Sequence, residues 1–284
     1  MLLALIRRNL KVYIRDREAV FFSILGILIV ILLYIFFLGD AVRDEIKDLK
    51  ESSYIVSTYI MSGVMCVSTL TTTLGAFSIK IEDHVNLRYR DFCVTPISRN
   101  LLATGYLLSS VIIGIAIGIL CLIGAECYIV SQGGKWLPIS SLTGCLFLLT
   151  MAVLCAASFS FFLVSMVHTT AAYSGLNVIL GTLCVFLTGV YIPIGSLNDT
   201  LQMIVKTFPL SHSGVLFRKL LMQDAVSVCL SGATQEQVTD FSVKMGMEFY
   251  VSSYLITNRE HFLILALSSL CFWILGLFCN GRKQ

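Results

Sequence analysis

Apolar residues fall along this chain in six long runs separated by short polar intervals, and an amphipathic stretch precedes the first of them. In residues 2–19, Leu3, Ile6, Leu10 and Tyr13 share one helical face, while Arg7, Lys11 and Arg15, spaced by four, share another. That pattern predicts a helix lying in the plane of a membrane interface. The run Val20 to Leu38 follows directly. It is longer than a signal-peptide core and no clear small-residue cleavage pattern follows it, so it is expected to persist as a first span. Further runs at about Tyr54 to Ile79, Leu101 to Val130, Leu137 to Val167, Ala172 to Ile192 and Phe262 to Cys279 are close to or beyond the ~20 apolar residues of a bilayer crossing.

The expected fold is therefore an all-α polytopic membrane protein of six transmembrane helices, forming one domain over residues 1–284. Composition agrees: 57% of the residues are hydrophobic and 13% charged, with mean hydropathy +0.87, against ~25% charged in soluble domains. Arg7, Arg8, Lys11, Arg15 and Arg17 crowd the N-terminus and Arg282 and Lys283 follow the last run, so the positive-inside rule places both ends in the cytoplasm. The loop carrying Asp40, Asp44, Glu45, Asp48 and Glu51 is then external, and residues 80–100, with Lys80, Arg88, Arg90 and Arg99, form a cytoplasmic loop. His168 to Thr170 is too short to offer another docking surface there.

Residues 193–260 form the largest external segment. Within it Leu197 to Leu210, bracketed by Pro193 and Pro209, is apolar but too short to span, and is expected to lie at the interface or re-enter the membrane as a short helix. Val215 to Met222 and Phe241 to Thr257 vary at helical spacing and predict outer helices that cap the spans.

The net charge of +3 comes without a basic patch interleaved with aromatics, which excludes a nucleic-acid partner. Most of the ten cysteines, including Cys66, Cys121, Cys155, Cys184, Cys271 and Cys279, sit inside apolar runs and read as small packing residues; no metal site is expected. There is no phosphate loop, His-Glu-x-x-His or Gly-x-Ser-x-Gly, so no enzyme activity is expected of this chain. Ion-coupled carriers keep ionisable groups within their spans. Glu126 is the exception here, and at the outer end of its run it reads as an interfacial carboxylate.

Two readings remain: a passive pore or membrane scaffold, and a permease driven by a separate motor. The mixed-charge run Glu82, Asp83, His84, Arg88, Tyr89, Arg90, Asp91, followed by Phe92, Cys93, Val94, Thr95 and Pro96, is either a solvated loop or a short helix that sits in a groove of a soluble partner.

Three regions resemble the type-two permeases of ATP-binding-cassette exporters, a family that includes drug-resistance, nodulation-factor and polysaccharide export subunits. Arg8-Asn9-Leu10 through Arg15-Asp16-Arg17 is similar to the family's connecting helix. Glu82-Asp83 through Arg88-Tyr89-Arg90 to Thr95-Pro96-Ile97-Ser98-Arg99 resembles its coupling helix and proline turn, although His84, Val85 and Asn86 stand where the family often has glycine then threonine. Gly189 through Gly195, with Leu197, Leu201, Ile204 and Phe208 to His212, is similar to its fifth-span exit and re-entrant outer helices.

The resemblance implies an inner-membrane exporter subunit that pairs with a second permease copy, identical or related, and with an ATPase subunit holding ATP and Mg, this chain binding no cofactor. It makes Glu82, Asp83, Arg88, Tyr89, Arg90, Thr95 and Pro96 the coupling residues. It implies outward movement of an amphipathic or hydrophobic compound, such as a drug, peptide or lipid-like molecule, with polysaccharide or glycolipid as the alternative. Phe147, Phe159, Phe161, Phe162 and Phe186 lean towards an apolar cargo. Thr69 and Thr72, in a second span rich in hydroxyls, either bond back to their own helix or line a pathway. Phe186, Tyr191 and Pro193 are candidates for an exit gate, with an interfacial anchor the other reading of the tyrosine. Gly114 and Gly118 permit close helix contact, within one chain or at a dimer seam.

Overall fold

The computed structural model describes residues 1–18, 20–21, 25, 28–29, 32, 52–95, 97–189, 193–251 and 254–282. Helix α1 (Leu2–Arg15) buries Leu5, Asn9 and Tyr13 against α5 (Arg99–Ser131). This stripe differs from the apolar face expected from spacing: Leu3 is exposed, and Asn9 turns inward because its Nδ2 donates to Ser109 Oγ of α5 at 3.2 Å.

Helix α2 (Ser52–Ala76) passes through a turn at Phe77 into α3 (Ser78–Val85). A short α4 (Arg88–Cys93) precedes α5. Helices α6 (Ile139–Val164) and α7 (Thr170–Leu187) follow, and α11 (Asn258–Arg282) ends the described chain. The starts of α5 and α7 follow from capping: Ser98 accepts from Leu101 N–H and Thr169 from Ala172 N–H, satisfying amides that a helix start leaves bare.

Among the described residues five helices are long and apolar enough to cross a membrane, Ser53–Val85, Arg99–Ser131, Ile139–Val164, Thr170–Leu187 and Asn258–Asn280. The expected first span, Val20 to Leu38, falls mostly outside the described residues; its described members are helical. The acidic loop around Asp40 to Glu51 lies outside them too.

The segment after α7 comprises a 3-10 turn (Ile194–Ser196), α8 (Asp199–Thr207), α9 (Pro209–Cys229), α10 (Gln235–Lys244) and a two-stranded antiparallel hairpin, β1 (Tyr250–Val251) and β2 (Tyr254–Leu255). The hairpin corrects the helix expected across Phe241 to Thr257. Helix α10 stops at Lys244 and the chain turns at Gly246. The aromatic and β-branched residues beyond it then pair across strands.

The centre of the bundle is α2, which packs against α5, α6, α7 and α9. Its Ser and Thr hydroxyls from Ser57 to Thr73 bond back to carbonyls three or four residues earlier, as Ser62 does to Tyr59 O (2.6 Å), Thr69 to Cys66 O (2.7 Å) and Thr72 to Ser68 O (2.6 Å). With these atoms satisfied locally, the helix can pack tightly inside an apolar bundle. Cys66, Cys121, Cys155 and Cys184 are buried among the helices, and no disulfide links the described cysteines.

Gly114 and Gly118 face neighbours of the same chain. A Cβ at Gly114 would stand 2.8 Å from Thr73 Cγ2 and 2.9 Å from Val153 Cγ1, and one at Gly118 would stand 2.7 Å from Leu149 Cδ1. Gly114→Val is therefore expected to destabilise the bundle by about 1–3 kcal/mol through overpacking. Gly124, with nothing within 4 Å of an added Cβ, is expected to accept alanine without loss. Thermal unfolding of the two purified variants checks this pair, and equal melting temperatures would contradict it.

Candidate functional site

Among the described residues polar clusters interrupt the apolar bundle, and two of them each join three or more helices. The first surrounds Asp83 on α3, whose carboxylate is only 1% exposed. Arg8 of α1 grips it with both terminal nitrogens, Nη2 donating to Oδ1 at 2.6 Å and Nη1 to Oδ2. Tyr106 of α5 donates its hydroxyl to Oδ2 at 2.6 Å, and Arg88 Nη1 of α4 stands 3.7 Å from Oδ1. One buried carboxylate thus joins α1, the end of the second run and the start of the third. A bidentate guanidinium fixes direction as well as distance.

The hydrogen bonds that Arg8 donates to Asp83 raise the Arg8 pKa above its ordinary value, with burial opposing. Arg8 also donates to Asn9 Oδ1 (3.0 Å) and lies over the Phe92 ring, so α4 is attached to the same side chain. His84 stacks on Tyr89 with ring centroids 4.1 Å apart.

Around this clamp the surface changes character. Leu87, between α3 and α4, is a left-handed non-glycine residue at φ 59°, a conformation that costs an L-residue roughly 1–2 kcal/mol. Leu87, Val85 and Val94 are all exposed, beside the exposed Arg88 and Asp91. Along α1, Arg7, Arg8, Lys11 and Arg15 line an open groove of about 450 Å³.

Of the expected coupling residues, Asp83 and Arg88 meet in the clamp and Glu82 lies half-buried beside it. Tyr89 is buried, and Arg90 belongs to α4. Thr95 donates its hydroxyl to Phe92 O at 2.6 Å, closing the turn after α4. Pro96 lies outside the described residues.

The second cluster lies at the far end of α7. Arg218 of α9 is fully buried. Its Nη2 donates to the carbonyls of Thr188 and Gly189 (2.9 Å to the latter), and its Nη1 to Gly246 O at 3.4 Å. The guanidinium lies 5.2 Å over the Tyr59 ring of α2, and Tyr59 donates its hydroxyl to Gly189 O. A cation at the C-terminus of α7 complements the helix dipole and the carbonyls left bare there. Gly189, at φ +67°, makes the turn that presents them.

The expected gate residues belong to α2, α7 and the segment after it. Thr69 and Thr72 are 1% and 2% exposed, Phe186 is exposed at the end of α7, Pro193 is buried beyond it, and Tyr191 lies outside the described residues. Glu126 is buried, and its Oε2 accepts from Leu137 N–H at 3.0 Å, tying the connection between α5 and α6.

Sequence reading missed the roles of Arg8, Tyr106 and Arg218 in these clusters. The available signal for Arg218 was its place between Val215-Leu216-Phe217 and Leu220-Leu221-Met222, where a buried charge is costly unless it has partners.

A protein-family model described as ABC-2 type transporter matches residues 1–222 of the chain. No curated protein matches it.

Proposed function

The chain belongs to the ABC-2 type transporter family, and from that premise we propose that it is the membrane subunit of an exporter, driven through the Asp83 region by a separate ATP-binding-cassette ATPase that holds ATP and Mg. The observation that carries this reading is the buried carboxylate joining α1, α3 and α5 directly behind an exposed apolar tip. A soluble motor that covers Val85, Leu87 and Val94 would move the tip, and the clamp would pass that movement to two helices that run the length of the bundle. Glu82, Asp83, Arg88, Tyr89, Arg90, Thr95 and Pro96 are the coupling residues in this proposal.

The subunit works in the cell membrane with both termini cytoplasmic, six spans, and residues 193–260 outside as re-entrant helices. It pairs with a second permease copy, for which the exposed apolar face of α7, with Val178, Ile179, Leu183 and Phe186, is the surface. The cargo is amphipathic or hydrophobic. A lateral cleft of about 350 Å³ between α5, α6 and α11, lined by Leu107, Leu108, Met151, Leu154, Leu270 and Trp273, supports an apolar compound over a sugar chain. Its hydroxyls, Thr104, Ser158 and Ser269, are few.

Gentle extraction of the tagged chain is expected to bring down a nucleotide-binding ATPase in stoichiometric amount. Reversing the charges of Glu82, Asp83, Arg88 and Arg90 together is expected to leave the spans folded and ATP hydrolysis running, with export uncoupled from it. A chain that purifies alone, or a charge-reversed variant that exports normally, would overturn the proposal.

A further inference from the structure

Two histidines meet where the outer helices rest on the last span. His212 of α9 and His261, in the first turn of α11, are 2% and 0% exposed. Their Nδ1 atoms lie 2.7 Å apart, and their ring centroids 4.9 Å. Phe249 stands edge-on to both rings, at 5.7 and 6.0 Å, so water has little access.

The protons can be placed by elimination. His212 Nε2 lies 3.1 Å from Lys206 O, and a carbonyl only accepts, so this nitrogen carries hydrogen. In a neutral ring His212 Nδ1 is then a bare acceptor. The short contact requires His261 Nδ1–H as its donor. That leaves His261 Nε2 as a buried lone pair, and it has no partner among the described residues.

The pair is therefore closed by one shared proton and has no place for a second. A proton added to His212 Nδ1 would set two N–H groups against each other. One added to His261 Nε2 would create a buried cation with no acceptor.

The neighbouring charges do not relieve this. Lys219 of α9 donates to Asn258 Oδ1 at 2.9 Å and acts on His261 with the wrong sign for protonation. Glu260 of α11 acts in the favourable sense, but its oxygens already accept from Thr257 and Tyr254. From α8, Lys206 offers only its carbonyl, its Nζ standing 3.5 Å from Gln202 Oε1.

We propose that His212 and His261 form an acid-released clamp that holds outer helix α9 to the first turn of α11. The chemistry of the clamp stands apart from the transport reading; only its exposure to external acid rests on the orientation given there. Burial pushes the His212 pKa down to about 4, with the bond to Lys206 O opposing, whereas a parted histidine titrates near ~6.5. A depressed histidine pKa means that the closed contact is fully present above about 6.5 and weakens as pH falls towards about 4. Over that window the open fraction rises about tenfold per pH unit for one proton taken up.

Hydrogen exchange of the full chain in detergent micelles, corrected for the intrinsic pH dependence of exchange, tests this at pH 7.5, 6.0 and 4.5. Micelles expose both faces, so the result does not depend on orientation or on any ATPase. Protection in residues 209–216 and 256–264 is expected to fall together by tenfold or more between pH 6.0 and 4.5, while residues 101–125 of α5 stay protected. His261→Asn sets an amide in place of the Nδ1–H edge: its N–H donates to neutral His212 Nδ1, and after a flip its oxygen accepts from the protonated ring, so the contact holds in both states. The variant is expected to keep the neutral-pH protection and lose the acid response. Flat protection in the wild-type chain, or an acid response that survives in His261→Asn, would overturn the clamp; the wild-type measurement decides even if the variant fails to fold.

Discussion

Asp83→Asn is expected to stop export while leaving the bundle folded. Asparagine has almost the same shape, but it turns one of the two oxygens facing Arg8 into an N–H donor and removes the anion that the guanidinium grips. Breaking a buried ion pair by removing one partner costs about 3–5 kcal/mol. Arg8 keeps some contact with solvent, its side chain being 28% exposed, which puts the loss at the lower end, about 3 kcal/mol. That shifts the docking of α1 by roughly a hundredfold. The main core, built on α2, α5, α6 and α9, does not depend on it. The expected phenotype is ATP hydrolysis without transport, together with faster hydrogen exchange in residues 2–15. Tyr106→Phe removes one donor to the carboxylate, about 1.5–2 kcal/mol, and keeps the ion pair, so its loss of transport is expected to be smaller, roughly ten- to thirtyfold. Wild-type export by Asp83→Asn would remove the clamp from the coupling route.

The largest loss of stability is expected from Arg218→Met. Methionine fills similar volume, but the carbonyls of Thr188, Gly189 and Gly246 lose their donor. Gly189 O retains the Tyr59 hydroxyl; the other two have no replacement at a site closed to water. Hydrogen bonds to charged groups contribute about 1.5–3 kcal/mol each, and a bare buried carbonyl carries a further penalty. A net loss of about 3–5 kcal/mol follows, near the top of the range for single substitutions. In a chain of this size it lowers the melting temperature by on the order of 10 °C. Arg218→Lys keeps the charge but cannot reach three carbonyls from a point, and is expected to fall between. A melting temperature for Arg218→Met within about 2 °C of wild type would show that the cluster is not what holds the end of α7.

The elements that a single-helix period can reveal were legible in the sequence. The apolar runs within the described residues appear as helices, and the Ser and Thr hydroxyls of α2 from Ser57 to Thr73 bond locally. What one helix cannot reveal is its partner. Asp83 stood out as a charge near a span, yet its meaning comes from Arg8, 75 residues earlier, and Tyr106, 23 later. The expected loop over residues 80–100 is largely helical, because α3 continues the apolar run past Ile79 and buries Ile81 and Asp83. His212 is illegible alone for the same reason: its counterpart, His261, is 49 residues away. The hairpin at Tyr250 to Leu255 escaped notice because its strands are two residues each, too short for alternation to appear.

Helix α9 is buried at every position from Leu210 to Arg218, around its whole circumference and not along one stripe. A lid that opens alone has to be loosely held, and this helix is not. It is wedged against α2, α6 and α11. It is tied to α2 where Cys66 Sγ and Ser213 Oγ lie 3.2 Å apart and where Arg218 rests on Tyr59. It acts as a keystone, so any outward opening would carry α9 and α2 together as one rigid piece, with the bending left to the chain on either side.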